Sequence, residues 1–485
     1  MRSSIFLLVL LIGFGSHASD PAPEAGDRIG LPDLGDPSES ALSVSKEREI
    51  GSEIMQSIRE HRIAVDDLMV QEYISALGHQ LLAQSDAALH DFTFFTLNEG
   101  GINAFALPGG YIGVNAGLII ATDNEAELAA VMAHEISHVT QRHLARAFFY
   151  NQQLQVPVLA AMLAAMLVGG EVGQAAMVAA SAGSVQSRVN FTRKNEQEAD
   201  RVGIKLLARA GYDVESMATL FEKMQQQARL YGGAPPEFLS THPVHASRIA
   251  EARTRAQKYP VRQRPDSEAY RIVRARLRVL LSSNPAKLAK DIRLSLRQEQ
   301  SEDKTMDRYA LAFALQQSGQ AEQARQQVDI LLRQHPDVLA FQLLRSDIDL
   351  LAGKDNVALQ RLKKLRLKHP DDHVLTLEYA RMLIEVGQAR QARGMLEDYL
   401  IFRQGDPRVY RMLSHASKAS GDSVGSHAYM AERYRLQGNL TQAIANLEAA
   451  LRNPISDYYQ EARLQARLKT LRGKNERHEQ HGNKH

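Results

Sequence analysis

His134-Glu135-Ile136-Ser137-His138 holds most of what a zinc hydrolase needs in five residues. On an α-helix, positions i and i+4 share a face, so both imidazoles reach one metal ion. Glu135 then stands beside the open coordination position. There zinc lowers the pKa of a water towards neutrality, and a carboxylate takes its proton. Residues 124–133 fit a helix, with Asp123 or Asn124 as N-cap.

A third protein ligand must come from elsewhere. Glu196 and Asp200 lie on a second predicted helix, residues 194–211, and are again i and i+4. One can bind metal while the other stays close as an acid. Glu198 is expected to point to the opposite side. His143 is expected to be carried away from the metal by a helix that does not break, and Gln141 and Leu144 stand where the metzincin pattern requires Gly and His.

These residues need a scaffold. Helical patterns cover about 45–62 and 66–85, and residues 92–97, 102–107 and 111–115 read as short strands between Gly100-Gly101 and Pro108-Gly109-Gly110. A small sheet beside the zinc helix has an outer strand able to pair with an extended substrate backbone. An ordinary covered edge explains the same pattern.

His134-Glu135-Ile136-Ser137-His138, followed by Glu196, Ala199 and Asp200, resembles the M48 zinc metallopeptidases. Ile102-Asn103-Ala104-Phe105-Ala106 with Gly109-Gly110 looks like the family's strand segment, and Thr241-His242-Pro243 with Arg248 like its downstream His-Pro segment. The matches span about residues 45–260. The resemblance implies one Zn2+ held by His134, His138 and Glu196, with Glu135 as general base. It implies that Asp200 is a proton donor or a partner of a ligand, and Arg248 is expected in the same outer ring. His242 precedes Pro243, which disfavours helix there, so it is expected at a loop-to-helix junction gated by 231–241. It is expected either to latch the metal's fourth position or to donate to the tetrahedral oxyanion; a surface or capping role is the plain alternative.

Residues 1–18 read as a Sec signal peptide: Arg2, an apolar run from Ile5 to Ile12, and small residues at Ser16 and Ala18. The run is too short for a span, and a chain with no Cys has no lipoprotein anchor. Export to the periplasm is the expectation. A net charge of +2 over 485 residues argues against nucleic acid as a partner, and the length allows two or three cores. Residues 19–44, with four prolines, read as a flexible leader. Residues 154–185 hold two apolar segments around Gly169-Gly170, each shorter than the roughly 20 residues of a span. Buried or lid helices are expected, with peripheral contact to membrane or to apolar client surface as the alternative.

From residue 263 to 472 the pattern is repetitive. Gly319, Gly353, Gly387 and Gly421 fall at intervals of 34; Ala324, Ala358 and Ala392 follow by five, and Pro336 and Pro370 by 17. That is the tetratricopeptide period, with Gly for the turn, Ala for close packing and Pro as the stop. Gly438, Ala443 and Pro454 repeat the pattern half a unit out of phase, so one helix is expected to serve two repeats. The repeats are predicted at about 305–336, 339–370, 373–405 and 425–457. Residues 473–485 form a charged tail, expected to be disordered.

The fold expected is therefore an α+β zincin-like metalloprotease domain over 45–262, mostly helical with a small sheet, followed by an all-α tetratricopeptide solenoid. This order resembles that of periplasmic M48 proteases of Gram-negative bacteria. The resemblance implies a zinc metalloendopeptidase with a chaperone-like role, partnered by unfolded or stalled outer-membrane β-barrel proteins and by the machinery that assembles them. A non-proteolytic chaperone or adaptor with structural zinc competes with it, as does a cell-wall amidase on the same metal.

Overall fold

The computed structural model of the protein describes residues 42–86, 92–150, 193–230, 237–262, 264–401 and 403–482. The signal peptide, nearly all of the leader and the apolar segments of 154–185 lie outside the described residues. Ser43 caps α1 (Val44–Glu60) by accepting from the Lys46 N–H, and Asp67 caps α2 (Leu68–Leu82) by accepting from Val70. Three strands follow, β1 (Thr93–Leu97), β2 (Ala104–Leu107) and β3 (Tyr111–Asn115), in the order β1-β3-β2. β1 is parallel to β3, and β2 is antiparallel to it, with Phe95 and Phe105 both in register with Gly113. Gly109 and Gly110, at φ 77° and 85°, make the tight hairpin between β2 and β3.

After α3 (Ala116–Ala121), Asn124 caps α4 (Glu125–Thr140) by accepting from the Glu127 N–H. Leu128 to Ala133 and Ile136 are buried together in the main core of this half, so α4 is its central helix. It packs against α6 (Arg193–Ala210), where Gly203 lets the backbones approach: a Cβ there would lie 3.3 Å from the His134 nitrogen. Between them in sequence is α5 (His143–Tyr150); α7 (Ser216–Leu230), α8 (Glu237–Thr241) and α9 (Ala246–Ala256) complete the half.

Two expectations are corrected here. The helix bearing His138 does break: α4 ends at Thr140, and Arg142 takes a left-handed φ of 52°. Its guanidinium donates to the Leu42 carbonyl at 2.7 Å and to Glu47 at 3.1 Å, which ties the break to the start of α1. The segment 237–241, expected as part of a loop, is the helix α8, whose last turn closes as the His242 N–H donates to Phe238.

The remaining elements are helices packed in succession: α10 (Glu268–Leu280) and α11 (Pro285–Arg297) both pack on α12 (Lys304–Gln317), then α12 packs on α13 (Ala321–Gln334), α14 (Leu339–Leu351) on α15 (Asp355–Lys368), and α16 (His373–Glu385) on α17 (Ala389–Leu400). α18 (Pro407–Ala419), α19 (Ser423–Leu436), α20 (Leu440–Leu451) and α21 (Tyr458–Gly482) continue the array. The five periodic glycines, from Gly319 to Gly438, all turn the chain at φ between 71° and 83°. α19 lies between two such turns, packing on α18 before it and on α20 after it. Expected disorder from Gly473 is also corrected. α21 runs on to Gly482, held at its root by buried Leu468 and Leu471 and by the Arg472–Glu448 ion pair at 2.7 Å.

The array closes on the sheet-bearing half through α2. Asp67 caps α2 with one oxygen and accepts from Arg276 Nε with the other at 2.9 Å, while Arg276 also donates to the Tyr309 hydroxyl at 2.7 Å. Met69, one turn into α2, packs against two of the array's cores. Asp66 pairs with Arg411 and Glu72 with Arg408, each at 3.0 Å.

α1 rests on the hairpin turn without room for a side chain at Gly51, where a Cβ would lie 1.9 Å from the Pro108 carbonyl oxygen. Gly51→Ala is expected to destabilise the protein by about 1–3 kcal/mol through overpacking. Gly394→Ala, in open space on α17, is expected to be neutral or mildly stabilising. Thermal melts of the two variants check the contrast.

Candidate metal centre and active site

Helix α4 delivers His134 and His138 one turn apart, with Nε2 atoms 3.0 Å from each other. Glu196, in the first turn of α6, brings Oε2 to 3.5 Å from His134 Nε2 and Oε1 to 3.5 Å from His138 Nε2. His242, just past α8, adds Nδ1 at 3.4 Å from His134 Nε2 and 3.1 Å from Glu196. All four side chains are buried, and one ligand atom from each lies within 4.8 Å of the rest.

Donors about 2.0–2.1 Å from a tetrahedral ion are about 3.3–3.4 Å apart. Five of the donor separations, 3.0 to 3.5 Å, lie near that figure, with Glu196 Oε1 facing His138 and His242 and Oε2 facing His134, and the whole set falls within 4.8 Å. The donor set, three imidazole nitrogens and a carboxylate, is one that zinc accepts. Glu135 is buried with Oε1 lacking any hydrogen-bond partner, 3.6 Å from His242 Nε2. A polar atom left unmatched in a buried site points to a missing water, substrate or ion.

Each ligand imidazole is oriented from behind. His134 Nδ1 is 3.0 Å from Asp200 Oδ1. Asp200 accepts two hydrogen bonds from Arg248, at 2.7 and 2.8 Å, and the same guanidinium reaches Glu196 at 2.8 Å. Arg248 also donates to the Pro243 carbonyl at 3.0 Å and lies over the Phe221 ring, so it links α6, α7, α9 and the turn after His242. Only 1 % of its surface is exposed. Phe238 stacks on His242 from the other side, 4.8 Å between ring centroids.

His138 is backed differently. Its Nδ1 lies 2.8 Å from His143 Nδ1, and His143 Nε2 lies 3.2 Å from Glu198, which accepts from Arg146 at 2.7 Å. If His138 offers Nε2 to an ion, its Nδ1 carries the proton and donates to His143, which must then donate through Nε2 to Glu198. The chain of contacts fixes both tautomers. An unbroken helix would carry His143 away from the metal; the break at Arg142 turns α5 back, so that His143 stands behind His138 and meets Glu198 on the side of α6 away from Glu196. The left-handed residue is an arginine, so no glycine announced it.

The electrostatics follow from burial and pairing. Burial pushes the Glu135 carboxyl above its ordinary range. It also lowers His138, and it pulls His143 down to about 4. Burial would raise Asp200, but hydrogen bonds from His134 and Arg248 outweigh it and hold the carboxylate below its ordinary range. For His134, burial disfavours the charge, yet Asp200 and Glu196 prevail and raise it to about 9.

Residues 69–256 match the model of peptidase family M48, and residues 350–416 match a tetratricopeptide repeat model. The β-barrel assembly-enhancing protease of Escherichia coli K12 is 35% identical over 92% of this chain and 92% of its own length. The chain belongs to peptidase family M48. A putative β-barrel assembly-enhancing protease of Vibrio cholerae is 34% identical over 94% of this chain and 95% of its own. The mitochondrial metalloendopeptidase OMA1 of Arabidopsis thaliana is 37% identical over 147 residues, 30% of this chain and 28% of that one. Membership makes the protein a metallopeptidase, and its four clustered ligand atoms lie inside the matched span.

Without metal, a folded His134 pKa of about 9 lies above the unfolded value of 6.5. The stability this contributes is fully present below pH 6.5 and lost as pH rises through 9. Chelator-treated protein is expected to lose on the order of a few kcal/mol across that window. Urea midpoints at pH 6, 7.5 and 9 check it against His134→Gln, which should lack the decline.

Proposed function

We propose that the protein is a periplasmic zinc endopeptidase and chaperone-like factor that aids assembly of outer-membrane β-barrel proteins and degrades those that stall. The observation carrying the chemistry is the buried cluster of ligand atoms from His134, His138, Glu196 and His242 beside Glu135 Oε1, which has no hydrogen-bond partner. His134, His138 and Glu196 are assigned as the protein ligands. Zinc, when bound, supplies an electrophile for the scissile carbonyl and acidifies the attacking water.

Glu135 takes the proton of that water and delivers it to the leaving amine. Asp200 accepts from the outer nitrogen of His134, and the His143–Glu198 pair does the same service for His138. Arg248 balances the charge of Asp200 and Glu196, leaving both as carboxylates. Strand β2, an edge of the sheet packed beside α4, is where an extended substrate backbone would pair.

The biological setting draws on two supports: the names of relatives alike over nearly the whole chain, and the signal-peptide pattern of residues 1–18. No helix among the described residues is long and apolar enough to cross a membrane. The repeat array is assigned the recruitment of clients and of the barrel-assembly machinery.

Two measurements test the roles. Glu135→Gln should retain zinc and lose casein cleavage by about 10²–10⁴-fold, whereas His134→Ala should lose both and His143→Ala should release zinc faster to a chelator. Metal-free Glu135→Gln protein would contradict the division, and full rescue of barrel assembly in cells by Glu135→Gln would favour the non-proteolytic chaperone.

His242 is assigned as a latch. Its Nδ1, 3.1 Å from Glu196 Oε1 and 3.4 Å from His134 Nε2, would hold the metal's fourth position in place of a water or carbonyl. Proteolysis by His242→Ala should therefore rise; a fall would assign it to the oxyanion instead, and an unchanged rate to neither.

A further inference from the structure

A cavity of about 1250 Å³ lies far from the catalytic groups, between β1 and the turn and helices α18 and α19 of the repeat array. Phe94 and Thr96 line one side, and Arg59, Arg62, Arg411 and Arg433 are among those lining the others. Two features of its wall are independent of each other.

One is the backbone. Thr93 donates its N–H to Gly110, so in β1 the odd-numbered residues bond to β3 and the even-numbered ones face outward. The outer edge is used at one end: Thr96 accepts from Val65, and Asn98 donates to Ile63. The Phe94 N–H and C=O and the Thr96 N–H have no backbone partner among the described residues. They lie on a strand edge that borders the cavity.

The other is charge. Arg411 pairs with Asp66 and Arg408 with Glu72 and Asp406, but Arg59, Arg62 and Arg433 form no ion pair among the described residues. Burial, reinforced by the charge of Arg433, pulls Arg59 down to about 10, and burial and Arg411 lower Arg433. Asp66 and Asp406 also line the cavity, but they are paired with Arg411 and Arg408, which leaves Arg59, Arg62 and Arg433 without an ion pair of their own among the described residues.

From these features we propose that the cavity is a docking site for an extended, acidic polypeptide segment of a client or partner. Its backbone adds to β1 at Phe94 and Thr96, and its carboxylates pair with Arg59, Arg62 and Arg433. Main-chain pairing supplies sequence tolerance, and the arginines select for acidic side chains at alternate positions. A free anion would satisfy the arginines and leave the strand edge unused, so the edge favours a peptide.

The test uses full-length Glu135→Gln protein, to avoid cleavage, and a fluorescent ten-residue peptide alternating Glu with Val. Anisotropy should show binding that weakens with salt and falls about tenfold in each of Arg59→Ala and Arg433→Gln. A Lys-for-Glu peptide should not bind. Peptides N-methylated at every second residue, made in both phases, should include one that binds at least tenfold more weakly. Equal binding by both methylated peptides would reduce the site to an anion pocket and overturn the proposal, as would equal binding by the arginine variants. Casein cleavage by Arg59→Ala on the otherwise unaltered chain should stay intact, which separates this outcome from any failure of the protease assignment.

Discussion

One guanidinium, wholly enclosed, sets the geometry of the catalytic half. Arg248 comes from α9 and meets two carboxylates from α6, the turn after His242, and an aromatic ring of α7. A buried cation is tolerable only when its partners are complete, and here both carboxylates are themselves committed to histidines. Moving any one of these helices would strand a charge out of water. The positions of Glu196 and of the His134 ring are thereby held without help from the small sheet.

The two imidazoles of α4 show how the same need can be met in two ways. His134 leans directly on a carboxylate, whereas His138 reaches one through a second imidazole. The relay exists because the chain reverses at Arg142, and the reversal exists because Arg142 is tied to Leu42 and Glu47 at the start of α1. A surface-to-surface contact about 95 to 100 residues away in sequence thus decides what stands behind a candidate ligand. It also explains why the N-terminal helix belongs to the catalytic half.

Much of this was legible in the chain and some was not, for physical reasons. Helical spacing brings together His134 with His138 and Glu196 with Asp200, and a regular interval of glycines marks turns where only a left-handed residue closes the helix. Those signals are local. The position of His143 behind His138 was not legible because it depends on a left-handed arginine, stabilised by a distant carbonyl that no periodicity records. The helix at 237–241 was missed because it is a single turn closed by the His242 amide. The tail from Gly473 looked unstructured by composition, yet it continues the helix that buries Leu468 and Leu471 against the last repeat. Tertiary packing overrode propensity there.

Helix α2 belongs to two structures at once. Its Asp67 carboxylate caps its own first turn and holds Arg276 of the array, and Met69 is packed into the repeats. Clamped through a shared helix, the array is held at a fixed distance from the catalytic groups. Under the recruiting role proposed for it, the array would act as a ruler: the length of polypeptide between the point of capture and the point of scission would be set by the protein rather than by the sequence of the captured chain.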